Sequence, residues 1–143
     1  MRFWDASAVV PLLIEEPHSN ACRDLLRTDP RQTVWYFTRT EVVSALARHW
    51  RQGGFSADEF RRSESRLAHL ARRWSEVDPS APVRELAEQL LRVHSLRAAD
   101  ALQLAAALAA IEERPRGHSF VSLDEALLAA AQREGFDAVR PME

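Results

Sequence analysis

A chain of 143 residues suits one domain, expected over 1–143, and leaves little room for a second. With 46% hydrophobic and 28% charged residues it can bury a core, which excludes a disordered chain. Its 19 basic and 21 acidic residues give a net charge of −2, so no bulk positive field advertises nucleic-acid binding and any such binding must come from local patches.

In chain order, residues 2–4 form a short β-prone opening that stops at Asp5. Residues 6–15 carry Val9, Val10, Leu12, Leu13 and Ile14 and suit a helix kinked near Pro11. Ser19 is placed to cap a second helix, which Asp29-Pro30 breaks. Residues 33–37 (Thr-Val-Trp-Tyr-Phe) are all β-branched or aromatic and predict a strand, with Trp35, Tyr36 and Phe37 in the core. Thr38 or Thr40 caps the next helix, which runs to Gly53-Gly54. Ser56-Ala57-Asp58-Glu59 is a capping box for a helix reaching about Ser75. Two further helices follow at 83–93 and 98–112, then a buried strand at 120–123, a helix from Asp124 to Gly135, and a last strand at 136–139. Strands separated by helices, with no tight hairpin signal, predict crossover connections and a parallel sheet.

Cys22 is the single cysteine, so no intrachain disulfide can form and no Cys/His metal site exists. The first residues lack the apolar run of a signal peptide. The longest uncharged apolar stretch, 101–111, is too short to span a bilayer. The expectation is a soluble, cytoplasmic protein. All 19 basic residues are Arg, whose planar fork can grip phosphate with two hydrogen bonds; a codon bias toward Arg and Ala explains the same fact.

Chemistry points to four acids. Reactive groups of an open parallel sheet gather beyond the carboxyl ends of its strands. Asp5 and Asp124 each follow a strand, and Glu41 opens the helix after the aromatic one. Asp100 is the only charge between Arg97 and Glu112, inside an apolar helix where an unpaired carboxylate is costly unless it faces water or a partner. Each has a structural alternative. Asp5 and Asp124 can serve as N-caps worth on the order of 1 kcal/mol. Glu41 can favour the helix dipole, and Asp100 can simply be exposed. Jointly, four clustered carboxylates without Lys ionise together only if cations neutralise them, and hard oxygen ligands select Mg2+ or Mn2+ over zinc.

Phe3-Trp4-Asp5-Ala6-Ser7-Ala8-Val9-Val10 resembles the opening of PIN-domain proteins, and of the VapC toxins in particular. Thr40-Glu41-Val42-Val43-Ser44-Ala45-Leu46 resembles their second motif, residues 96–105 around Asp100 the third, and Val121-Ser122-Leu123-Asp124-Glu125-Ala126-Leu127 the fourth. The match runs in order over nearly the whole chain. It implies a PIN-like three-layer α/β fold, with a four- or five-stranded parallel sheet flanked by helices. It implies hydrolysis of RNA phosphodiesters to 5′-phosphate and 3′-hydroxyl ends, by a toxin that a small antitoxin inhibits and that often dimerises. Asp5 and Asp100 then serve as the main Mg2+ or Mn2+ ligands, with Glu41 and Asp124 binding directly or through water. Some relatives carry an additional Asp beyond the fourth acid; only Glu125 stands there, leaving one metal or two open. Ser7 can orient a carboxylate, or be an ordinary helix-start hydroxyl.

Arg62, Arg66, His69 and Arg73 share one helix face, with Arg61 and Arg72 beside them. They can track an RNA backbone, or form a solvated face paired with Asp58, Glu59 and Glu64. The aromatics Trp35, Tyr36 and Phe37 are expected in the core, not as base-stacking groups. The apolar faces of the helices within 41–75 can receive an antitoxin segment. Two rival classes stand against a nuclease. A nucleotide-binding α/β protein needs a Gly-rich phosphate loop, and glycines at only 53, 54, 117 and 135 exclude one. A non-toxin PIN-like RNA-processing or RNA-binding protein remains the alternative, with retention of all four acids arguing against a loss of catalysis.

Overall fold

The computed structural model describes residues 1–142. Five short strands, β1 (Arg2–Trp4), β2 (Thr33–Trp35), β3 (Ser75–Val77), β4 (Ser119–Val121) and β5 (Asp137–Val139), pair in the order β3-β2-β1-β4-β5, all parallel. Each step between them is a crossover, as the absence of hairpin signals predicts.

The alternation of side chains along the inner strands builds the layers. Phe3, Trp35 and Phe120 point to one face, where α5 (Ala81–Val93), α6 (Ala98–Ala110) and α7 (Glu125–Glu134) cover them. Trp4, Val34 and Val121 point to the other, under α1 (Ala6–Val9), α2 (Ser19–Thr28), α3 (Thr38–Arg51) and α4 (Ala57–Ala71). The result is helix, sheet, helix. Ala-rich α6 lies deep in the first layer, with Ala101, Leu104, Ala105, Ala106 and Ala107 fully buried. No helix among the described residues is long and apolar enough to cross a membrane.

The structure corrects several local expectations. The helix expected over 6–15 is α1 followed by a 3-10 turn, Val10–Leu12, because Pro11 has no N–H to continue the α ladder. Ser19 is not a cap. His18 holds that position without a side-chain bond, and the buried Ser19 hydroxyl accepts from Glu16 N (2.9 Å) and donates to Ile14 O (2.9 Å). The second strand ends at Trp35, since Thr38 Oγ1 accepts from Trp35 N (3.2 Å) and turns the chain. Tyr36 and Phe37 are therefore each 45% exposed, not core as expected; only Trp35 is buried. The capping box of α4 is present, but the helix stops at Ala71 and Ser75–Val77 becomes the edge strand β3, which sequence reasoning missed.

Candidate active site

The strand order changes direction at β1, whose neighbours β2 and β4 lead to opposite edges of the sheet. A crevice beyond the carboxyl ends of the strands at such a switch point is where an α/β sheet offers a site. Asp5 follows β1 there, and its backbone N donates to Val121 O of β4 at 3.0 Å. Asp124 stands at the start of α7, Glu41 in the first turn of α3, and Asp100 in the first turn of α6. All four acids line one open cavity of about 550 Å³, together with Ser7, Thr40, Ser44, Arg48 and Arg97.

Asp5 is the deepest, 4% exposed, and its strongest partners are two serine hydroxyls. Its Oδ2 accepts from Ser122 Oγ (2.8 Å), from Ser7 Oγ and, more weakly, from Ser7 N (3.4 Å). Those hydroxyls are themselves fixed: Ser7 Oγ accepts from Leu123 N (2.9 Å) and Ser122 Oγ from Asp124 N (3.0 Å). Two serines thus bolt the end of β1 to the turn between β4 and α7 and aim one carboxylate oxygen. Burial pushes the Asp5 carboxyl above its usual range, the two serines pull it back, and the negative charge of Asp100 pushes it further up.

Glu41 is pushed up to about 7, first by burial and then by the charges of Asp5 and Asp100, with the neighbouring Gln103 side chain opposing the shift. Gln103 is fully buried, and its Oε1 accepts from Thr38 Oγ1 at 3.2 Å. Asp100 is likewise raised, by burial and then by Asp124, while Arg97, 3.7 Å away, opposes the shift. Asp124 Oδ1 accepts from Leu127 N (2.9 Å) and so caps α7. Four carboxyls share the cavity with only Arg48 and Arg97 as cations in its lining, and the upward shifts of Asp5, Glu41 and Asp100 reflect the cost of ionising buried, neighbouring acids together. Among the described residues, no three His, Cys, Asp or Glu side chains converge closely enough to form a ready-made metal cage. The donor set is nonetheless all oxygen and anionic. It suits a hard cation that keeps several of its own waters, as Mg2+ does, rather than one wrapped by protein.

The arginine face lies elsewhere. Arg66, His69 and Arg73 rim a separate groove of about 410 Å³ with Leu12, Leu13, Leu26 and Leu70 for its floor, and Arg62 lines neither cavity. The expected ion pairing of that face reduces to Arg61 with Asp58, a surface contact. Sequence reasoning passed over Arg48, Arg97, Ser122 and Gln103. Arg48 carried a signal: Ser44 and Arg48 follow Glu41 at positions i+3 and i+7, on one helical face.

The PIN domain family model matches residues 2–126. Among solved structures, a toxin–antitoxin complex from Klebsiella pneumoniae is similar at a TM-score of 0.71 and 15% identity, covering 100% of this chain and 99% of that one. FitAcB from Neisseria gonorrhoeae follows at 0.68 and 17%, covering 99% and 98%. PAE2754 from Pyrobaculum aerophilum follows at 0.65 and 18%, covering 97% and 87%. Among proteins of curated function no significant match is found. The structural likenesses, all under 25% identity, speak to the fold; the family model, spanning most of the residues, speaks to descent. This chain belongs to the PIN domain family, a family of nucleases.

Proposed function

We propose that this protein is an Mg2+- or Mn2+-dependent endoribonuclease and the toxin of a type II toxin–antitoxin pair, built as a single PIN domain over residues 1–143. The observation that carries the reading is the convergence of Asp5, Glu41, Asp100 and Asp124 on one cavity with too few cations to neutralise them. Asp5 and Asp100 are assigned as direct ligands, with Glu41 and Asp124 binding directly or through water. A divalent cation bound there would supply Lewis acidity and neutralise charge on the phosphodiester oxygens.

The chain's own groups supply the rest. Ser7 and Ser122 hold Asp5 Oδ2 in one orientation, so the carboxylate is set before substrate arrives. Glu41, held near 7, is matched to take a proton from an attacking water on its carboxylate at neutral pH. Arg48 and Arg97, at the cavity wall, can grip the flanking phosphates with paired N–H donors. The alternative grip, by Arg62, Arg66 and Arg73, is disfavoured because none of the three lines this cavity.

The groove rimmed by Arg23, Arg66, His69 and Arg73 and floored by leucines suits an amphipathic helix with an acidic flank, and so a cognate antitoxin segment. The Klebsiella neighbour, itself a toxin–antitoxin complex, supports a partner of that kind. A homodimer acting in the cytoplasm completes the reading.

The test is cleavage of a mixed RNA pool with Mg2+ or Mn2+, with EDTA, and by Asp5→Asn and Asp100→Asn. Metal-dependent cleavage that both variants lose by at least about 100-fold is expected, and full activity in excess chelator would remove the mechanism. Cleavage without slowed growth of a bacterial host expressing the protein would favour the RNA-processing alternative.

A further inference from the structure

We propose that the groove lined by Tyr36, Arg39, Thr40, Val43 and Glu76 is a nucleobase subsite beside the carboxylate cavity. Tyr36 stacks on an unpaired base there, and Glu76 selects a base that carries an exocyclic amino group. This rests on the endoribonuclease reading, and it names what that site reads.

Position argues first. The groove holds about 420 Å³, within the range of small-ligand sites, and Thr40 lines both it and the carboxylate cavity. A strand whose phosphate sits among Asp5, Glu41 and Asp100 therefore has a neighbouring recess to enter.

The lining argues second. Tyr36 is a large aromatic left 45% exposed by the turn that ends β2. Phe37 meets it edge to face, 5.0 Å between centroids at 87°, which holds the ring while leaving it open to solvent. A braced, open aromatic ring beside a nuclease cavity is what single-stranded RNA recognition uses, because every base has a π-face. Arg39 forms no ion pair among the described residues, so its guanidinium is available to a phosphate.

Glu76 supplies selectivity. Trp74 Nε1 donates to its Oε2 at 3.1 Å, which steadies the carboxylate on the exposed edge strand β3 and leaves Oε1 open. A carboxylate accepts from the amino group of cytosine or adenine and repels the O4 acceptor of uracil. A purely apolar contact with a second chain would have no use for this acid or for Arg39, and this mixed lining favours RNA as the occupant.

The experiment uses fluorescein-labelled oligo(rC), oligo(rA) and oligo(rU) in Mg2+, with anisotropy measured in an Asp100→Asn background so that the probes survive. Tyr36→Ala should weaken oligo(rC) binding by about 5- to 150-fold, the range for one lost base–aromatic stack, while Tyr36→Phe stays within about twofold. Glu76→Gln should shrink the preference for oligo(rC) over oligo(rU) by about tenfold or more, because an amide can donate to O4. Equal affinity of Tyr36→Ala and the Tyr36 protein overturns the subsite, and does so even if the native protein cleaves RNA. Tyr36-dependent binding by a protein that cleaves no RNA supports the subsite and removes the nuclease reading. If Tyr36→Ala turns a dimer into a monomer without changing affinity per chain, the groove is a contact between chains and the proposal is overturned.

Discussion

Replacing Glu41 with Gln should change how stability depends on pH in a metal-free buffer. Glu41 in the folded chain is held at about 7 against an ordinary value of 4.5, mainly by burial. Between those values the folded state binds more protons than the unfolded one, so folding loses stability as pH rises from about 4.5 through about 7. At about 1.36 kcal/mol for each tenfold change in proton affinity, that displacement would amount to roughly 3.4 kcal/mol in the absence of solvent. Glu41 is only half-buried, and solvent screening reduces this to about 1–2 kcal/mol. For a chain of this length that is a fall in Tm of about 3–7 °C between pH 5 and 7.5 beyond what Gln shows. Asp5 and Asp100 are raised as well and leave both proteins a residual slope of the same sign. Thermal melts in EDTA across that range, read as the difference between the two proteins, cancel the histidines common to both. Mg2+ should restore most of the native protein's loss at pH 7.5, because it binds the ionised carboxylates of the folded state. Identical pH slopes for the native protein and Glu41→Gln would refute the electrostatic account of the cavity.

Two further substitutions separate structural from chemical roles. Asp124→Asn keeps an N-cap acceptor and relieves repulsion with Asp100, so without metal it should melt at or above the native protein, whereas Asp124→Ala should be less stable than Asn by about 1 kcal/mol. Both should lose nearly all RNA cleavage; normal cleavage by either would restrict Asp124 to capping. Gly135 ends α7 at φ +109°, where an added Cβ would also meet Pro115 Cγ at 2.9 Å, so Gly135→Ala should cost about 1–3 kcal/mol in denaturant melts. An unchanged midpoint would show that the turn can relax.

What could be read in the sequence was whatever local chemistry decides. The capping box at Ser56, the stop at Gly135 and the inner strands at Phe3 and Phe120 each follow from a few neighbouring residues, and the structure has them in place. The edge strand Ser75–Val77 was illegible because an edge needs neither alternation nor apolarity; β2 pairs it from one side and water takes the rest. Tyr36 and Phe37 misled for the opposite reason. Aromatic residues read as core, but the Thr38 hydroxyl takes the Trp35 amide and ends the strand before they can be buried. Helical spacing grouped Arg66, His69 and Arg73 correctly on one face, yet spacing says nothing of what that face opposes, and it borders the leucine groove rather than the acids.

Asp124 shows why a cap and a site residue were hard to tell apart by reasoning from sequence. Treated as alternatives, the two readings compete for one carboxylate. In the folded chain Oδ1 accepts the Leu127 amide while the same residue lines the cavity with Asp5 and Asp100. Asp5 repeats the pattern, accepting from Ser7 N at the start of α1 while facing Glu41 and Asp100. The two roles support each other. A carboxylate with one oxygen held by a helix amide has lost the rotamer freedom that would otherwise be lost on binding a ligand. Asp5 and Asp124, at helix starts beside strand ends, are therefore oriented by backbone amides of α1 and α7 and bring no unanchored charge into the cavity, whereas Glu41 and Asp100 stand in the first turns of α3 and α6, whose starts carry no side-chain cap.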